Sequence, residues 1–134
     1  MIHSMITRVR YAETDQMGVV HHGNYALYFE MARIEWLRQI GVSYKEMEES
    51  GVILPVVNMT TNYHYPLEYD DQITITTRLV KLPTASMVFH FEIFNENKKL
   101  CSSAEVTLVF LDHQSRKPMR CPVELFELIK TVAA

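Results

Sequence analysis

The chain has 134 residues, of which 48% are hydrophobic and 22% charged, with a formal net charge of -3. That length suits one domain spanning residues 1–134, able to hide about two-thirds of its unfolded surface without staples, and the composition is that of an ordinary globular protein. The acidic balance argues against a general nucleic-acid binder, which needs a basic surface, but leaves room for an anionic small ligand met by a few local Lys or Arg residues. Cys101 and Cys121 are too few for a disulfide framework and form no CxxC, so they read as reduced, partly buried thiols. A positive start followed by an apolar run is missing, and no apolar stretch reaches about 18 residues. The expectation is therefore no leader peptide, no membrane span and a cytoplasmic address.

The first expected element is a short strand, about Met5 to Tyr11. A loop from Ala12 to His22 follows, long for a connection, and loops of that kind often carry function. Asn24 to Ile40 reads as a helix without proline or internal glycine, closed by Gly41. Between Tyr25 and Ala32 the only charge is Glu30, so apolar side chains point almost all round and the helix is expected to be buried. A short second helix, Ser43 to Ser50, has Ser43 as cap and Glu46 to complete a capping box. After Gly51 the period changes to two. Ile53 to Tyr65 is extended and interrupted early by Pro55. Alternating runs follow at Ile73–Leu79, Met87–Ile93 and Ala104–Phe110, joined by polar turns such as Asn95-Glu96-Asn97-Lys98. Three such runs in series make an antiparallel meander. After Pro122 a last helix carries an apolar stripe of Leu125, Leu128, Ile129 and Val132. A sheet with one apolar face must cover it, and the long apolar helix is the available cover. The expected class is α+β, a curved antiparallel sheet of about five strands wrapped around Asn24–Ile40.

The chemistry concentrates in Tyr11-Ala12-Glu13-Thr14-Asp15-Gln16-Met17-Gly18-Val19-Val20-His21-His22-Gly23-Asn24-Tyr25. Asp15 stands seven residues before His22, just ahead of the expected helix. A helix start is a ring of unpaired N–H donors with partial positive charge, suited to an oxygen that becomes negative during reaction. Taken alone, Asp15 is a turn residue whose carboxylate bonds nearby N–H groups. Gly18 permits a sharp bend, however, and Val19 and Val20 can anchor the returning chain, which would carry the carboxylate back towards the helix donors. His21 and His22 are adjacent, so in extended chain they point to opposite sides and do not share a metal; no HxxxH or ExxH lies on the helix, and no metal site is expected. For His22 two readings stand level: a polar contact to the helix start, or a residue whose N–H polarises a carbonyl while its imidazole positions substrate or water. Asn24 reads as a helix cap, Tyr11 as a strand-end aromatic, and Tyr25, Tyr28 and Phe29 as core. No GxSxG nucleophile and no Gly-rich phosphate loop occurs, and neither cysteine precedes a helix beside a histidine partner.

The pattern Tyr11-x-x-x-Asp15-x-x-Gly18-x-Val20-x-His22-x-Asn24-Tyr25, followed by Glu30-x-Ala32-Arg33-x-Glu35, resembles the acyl-CoA thioesterases of the hotdog fold. The nearest branch is the 4-hydroxybenzoyl-CoA thioesterase type, including the Tol-Pal-associated short-chain acyl-CoA thioesterases. The resemblance covers nearly the whole chain. It implies that Asp15 is the catalytic carboxylate and that the N–H of His22 holds the thioester oxygen. It implies a homodimer or homotetramer with active sites and a pantetheine tunnel between subunits, an acyl-CoA substrate and no separate cofactor. Tyr11, Gly23, Asn24 and Tyr25 would lie along the substrate, and Arg78 and Lys81 would meet the CoA phosphates. The sequence departs from the pattern after Pro66, where Leu67-Glu68-Tyr69 stands in place of an early basic residue, so a phosphate contact is missing there or supplied elsewhere. His21 replaces a frequent aromatic, and Gly23 occupies a position for small residues or proline.

The reaction so implied is thioester hydrolysis, with Asp15 attacking the carbonyl or removing a proton from water. A thiol, with a pKa of about 8.5, leaves readily and needs little acid help. Two other functions remain open at this level. One is acyl dehydration or hydration, with His22 and Glu30 moving the protons. The other is an acyl-CoA or acyl-carrier binding module without turnover.

Overall fold

The computed structural model describes residues 1–133. Strand β1 (Ile2–Arg8) leads through a single-turn 3-10 segment (Tyr11–Glu13) and the long loop to a second 3-10 turn (His22–Asn24) and helix α1 (Tyr25–Gln39). Helix α2 (Tyr44–Glu49), the short strand β2 (Val52–Ile53) and strand β3 (Val56–Tyr63) come next. The meander is β4 (Gln72–Leu79), β5 (Ser86–Phe94) and β6 (Leu100–Val109), and the chain closes with β7 (Leu111–Asp112) and helix α3 (Val123–Ala133). The main sheet has five antiparallel strands in the order β1-β4-β5-β6-β3, and β2 pairs with β7 in a two-stranded sheet. No helix among the described residues is long and apolar enough to cross a membrane.

The meander follows its period-two pattern closely. Ile73 and Ile75 on β4, Met87, Phe89, Phe91 and Ile93 on β5, and Ala104, Val106 and Leu108 on β6 all turn inward. They pack against Tyr28, Phe29, Ala32 and Trp36 of α1, with Phe29 stacked on Phe91 at 5.0 Å and Trp36 edge-on to Phe89 at 5.3 Å. Aromatic contacts of this kind stabilise beyond the area they bury. The α3 stripe is present too: Leu125 and Ile129 are buried, and Leu128 and Val132 pack on the same cluster.

Three local expectations are corrected. β1 begins at Ile2 and ends at Arg8, earlier than the expected Met5–Tyr11, because Val9 leaves the strand to plug the core. Its apolar Ile2 and Ile6 face outward while His3, Met5 and Thr7 take the inner positions, so hydrophobic alternation misleads here. Helix α1 is not buried all round. It packs on one sheet, and a helix on one layer keeps a free side, here Leu27, Glu30 and Met31. Ser43 does cap α2 by accepting from the Glu46 N–H at 3.2 Å, but among the described residues the return bond of the capping box is not made.

Candidate active site

The loop ahead of α1 is an ordered hairpin. Thr14 pairs with Val20 across it, the Asp15 N–H donates to the Val19 carbonyl at 2.9 Å, and the Gly18 N–H donates to the Asp15 carbonyl at 3.0 Å. Gly18 makes the bend with φ of 79°, in the left-handed region that favours glycine. The returning limb is anchored because the Val20 N–H donates to the Leu67 carbonyl at 2.7 Å and Val19 bridges to Glu68.

Glu13 holds this hairpin to the core, a role its sequence context did not reveal. It is buried, and its carboxylate accepts from the Tyr28 hydroxyl at 2.8 Å, the Arg10 backbone N–H at 2.8 Å and the Arg10 Nε at 3.0 Å. Burial pushes the Glu13 carboxyl up, but these hydrogen bonds and the Arg10 charge outweigh it and hold it below its ordinary value. Burial, and after it the same bond, push the Tyr28 hydroxyl well above its usual range. The Glu13 carbonyl in turn accepts from the His21 N–H at 3.0 Å and from Asn24 Nδ2 at 2.8 Å.

Those bonds decide which residue caps the helix entrance. Asn24 was expected to be the cap, but its side chain makes no capping bond to the helix and instead ties it to Glu13. The side-chain cap sits one turn earlier, on the 3-10 turn that leads into α1, and is His21: its Nδ1 accepts the Gly23 N–H at 3.0 Å and its carbonyl accepts the Asn24 N–H at 2.9 Å. The two histidine rings, expected on opposite sides, stack at 4.2 Å because the chain is already turning into a helix there. The Tyr25 N–H bonds the His22 carbonyl. Among the described residues the His22 N–H meets no acceptor. One donor at the positive end of α1 thus stays unpaired among the described residues.

His22 lines an open cleft of about 260 Å³ together with Val19, Val20, Tyr25, Tyr63 and Tyr65. Tyr25 meets Tyr63 edge-on at 4.9 Å, and the Tyr63 hydroxyl stands 3.4 Å from the His22 carbonyl. Burial raises the Tyr25 hydroxyl to about 12, so it stays protonated across the neutral range. The wall formed by the end of β3 was missed in the sequence. Its signal was the cluster Tyr63-His64-Tyr65-Pro66, where a strand runs out into aromatic residues.

The expected site residues separate into two groups. His22 and Tyr25 line the cleft, and Gly23 and Asn24 build its helix entrance. Asp15 does not line it within the single chain, but sits across the hairpin from Val19, which does. Its Oδ1 accepts the Met17 N–H at 2.9 Å, the turn-residue bond, while Oδ2 has no partner among the described residues. Tyr11 is exposed and packs edge-on to Tyr69 at 5.4 Å, away from the cleft wall. Arg78 and Lys81 are not brought to it either. Arg78 shares a cross-strand row with His90, Glu105 and Thr60 on the outer face. That puts its backbone about 14 Å across and 10 Å along the sheet from Tyr63.

Comparison with known proteins agrees with this architecture. The sequence model of the thioesterase-like superfamily matches residues 9–129, and the chain belongs to that family. It is 35% identical over 112 residues to the putative acyl-CoA thioesterase YneP of Bacillus subtilis, covering 84% of this chain and 81% of the relative. It is 36% identical over 115 residues to the acyl-CoA thioester hydrolase YbgC of Escherichia coli, covering 86% of each. The solved DHNA-CoA thioesterase of Staphylococcus aureus superposes with a TM-score of 0.94 at 33% identity, covering 98% of this chain and 91% of that one. The fold is therefore the hotdog fold, and the protein is an enzyme of the thioesterase class.

Proposed function

We propose that this enzyme hydrolyses an acyl-CoA thioester to the free acid and CoA, in the manner of the 4-hydroxybenzoyl-CoA thioesterase branch. The carbonyl oxygen accepts the His22 N–H. Asp15 either adds to the carbonyl carbon, giving an anhydride that water then opens, or takes a proton from the attacking water. In both routes the C–S bond breaks and the departing thiolate gains a proton. A single donor at a developing oxyanion has been worth about 3–4 kcal/mol where one was removed. The observation that carries the reading is the unmatched His22 N–H at the mouth of an aromatic cleft, with Asp15 across the hairpin from the cleft residue Val19.

The working form is proposed to be a homodimer or a pair of dimers, with the site completed between subunits. β3 supports this, because none of its eight residues is buried, whereas β4, β5 and β6 each bury a whole inward face. Val57 is 57% and Met59 37% exposed on this outermost strand. A second copy laid along that edge would satisfy both its apolar side chains and its free backbone groups.

The test is thiol release from a panel of acyl-CoAs by the wild type and Asp15→Asn. Asparagine keeps an oxygen able to accept the Met17 N–H, so the variant retains its melting temperature while turnover falls at least about a hundredfold. Equal rates for the two proteins would overturn the role of Asp15. Hydration of an enoyl-CoA without thiol release would point instead to a hydratase.

A further inference from the structure

We infer that Tyr63 is a positioning residue for the reaction: from the end of β3 its hydroxyl holds the carbonyl of His22 and so fixes the direction of the His22 N–H. This rests on the thioester-hydrolase reading of the cleft.

His22 lies between two peptide planes. The plane that carries its N–H also carries the His21 carbonyl, which accepts the Asn24 N–H at 2.9 Å. A trans peptide is flat, so the His22 N–H points away from that bond. The plane on the other side carries the His22 carbonyl, which accepts the Tyr25 N–H and stands 3.4 Å from the Tyr63 hydroxyl. Only the φ and ψ of His22 join the two planes, so a hold on the second limits the swing of the first. The turn His22–Asn24 is a single 3-10 one, a form with poorer hydrogen-bond geometry than an α-helix, and it gains from a brace outside itself. Among the described residues its other hydrogen bonds come from within the turn or from Glu13, whereas Tyr63 brings one from the main sheet.

Tyr63 is itself held on two sides. Its backbone pairs with the buried Ser102 of β6, whose Oγ donates to the Asn62 carbonyl at 3.0 Å, and the next N–H, that of His64, donates to the Cys101 carbonyl at 2.8 Å. Its ring lies edge-on against the buried Tyr25 at 4.9 Å. Tyr63 is nonetheless 54% exposed, so its hydroxyl has water within reach. It is turned instead to the carbonyl of the residue whose N–H is the proposed oxyanion donor. At 3.4 Å the contact is long for an O–H···O bond, as contacts of working groups often are in a free site, and it is expected to shorten once a carbonyl oxygen meets the His22 N–H.

The experiment compares the wild type with Tyr63→Phe, which keeps the ring against Tyr25 and loses only the O–H. Thiol release from acyl-CoA and the melting temperature are measured for both. The carbonyl stretch of a bound acyl-CoA analogue, with a methylene in place of the thioester sulfur, is read by infrared difference spectroscopy. The expected result is a fall in kcat of about three- to tenfold, with KM and melting temperature unchanged. The stretch, lowered by the His22 N–H in the wild type, should rise in the variant, because a misdirected donor polarises the carbonyl less. An unchanged kcat and stretch overturn the inference. So does a higher KM with a lower melting temperature and an unmoved stretch, since Tyr63 would then only shape the cleft. A wild type that releases no thiol from any acyl-CoA defeats the hydrolase reading, and the stretch then decides: a shift that depends on the Tyr63 hydroxyl keeps the inference, and its absence ends it.

Discussion

Glu13 is the side chain on which the loop depends most. It is buried, carries a charge, and ties Arg10, Tyr28, His21 and Asn24 together through its carboxylate and carbonyl. Its carboxyl is held below its ordinary value, so the ionised form stabilises the fold. The contribution is complete above the unfolded-state value, about 4.3, and is lost as pH falls through the lower folded value. Glu13→Gln is therefore expected to cost about 1–3 kcal/mol at neutral pH. Its melting temperature should also vary less with pH below about 4 than that of the wild type, a comparison that calorimetry from neutral to acid pH makes directly. Glu13 was hard to read from the sequence because its partner Tyr28 lies on a helix fifteen residues away. Tyr63 and Tyr65 were missed for the same kind of reason, since only the folded chain sets them beside His22 and Tyr25. The place of His22 at the helix entrance was legible, because a position before an apolar helix is a local property.

At the level of elements, the hairpin between β1 and α1 sets the geometry of the site through one bend. Gly18 has a φ of 79° and open space where a side chain would begin, so a methyl group there meets no clash and only the backbone conformation is penalised. Gly18→Ala is expected to cost about 1–2 kcal/mol and Gly18→Asn less, because asparagine tolerates the left-handed region better. Thermal denaturation ranks the two, and similar losses would mean that side-chain crowding decides instead. The meander was readable almost residue by residue, because each strand there has one wet and one dry face. β1 was not, since its apolar Ile2 and Ile6 turn outward. The fine structure of the helix entrance was also out of reach, because both histidine and asparagine can serve as a cap and the choice depends on where Glu13 lies.

For the whole molecule, the free edges decide what the chain can join. β1 and β3 are the two outer strands of the sheet, and β3 presents Val57 and Met59 to solvent. Val57→Lys combined with Met59→Lys would oppose like charges across a shared edge. Sedimentation should then show a monomer with little thiol release, whereas an intact dimer would remove β3 from the proposed interface. Composition and periodicity say nothing about such an edge, since an exposed strand and a strand covered by a copy read alike in one sequence. The position of β3 at the end of the order β1-β4-β5-β6-β3 has one more consequence. Two copies related by a two-fold axis would use up both β3 strands at once, leaving only the β1 strands at the far ends. Growth by that contact stops at a pair, so the same unsatisfied backbone that invites association does not lead to a fibre.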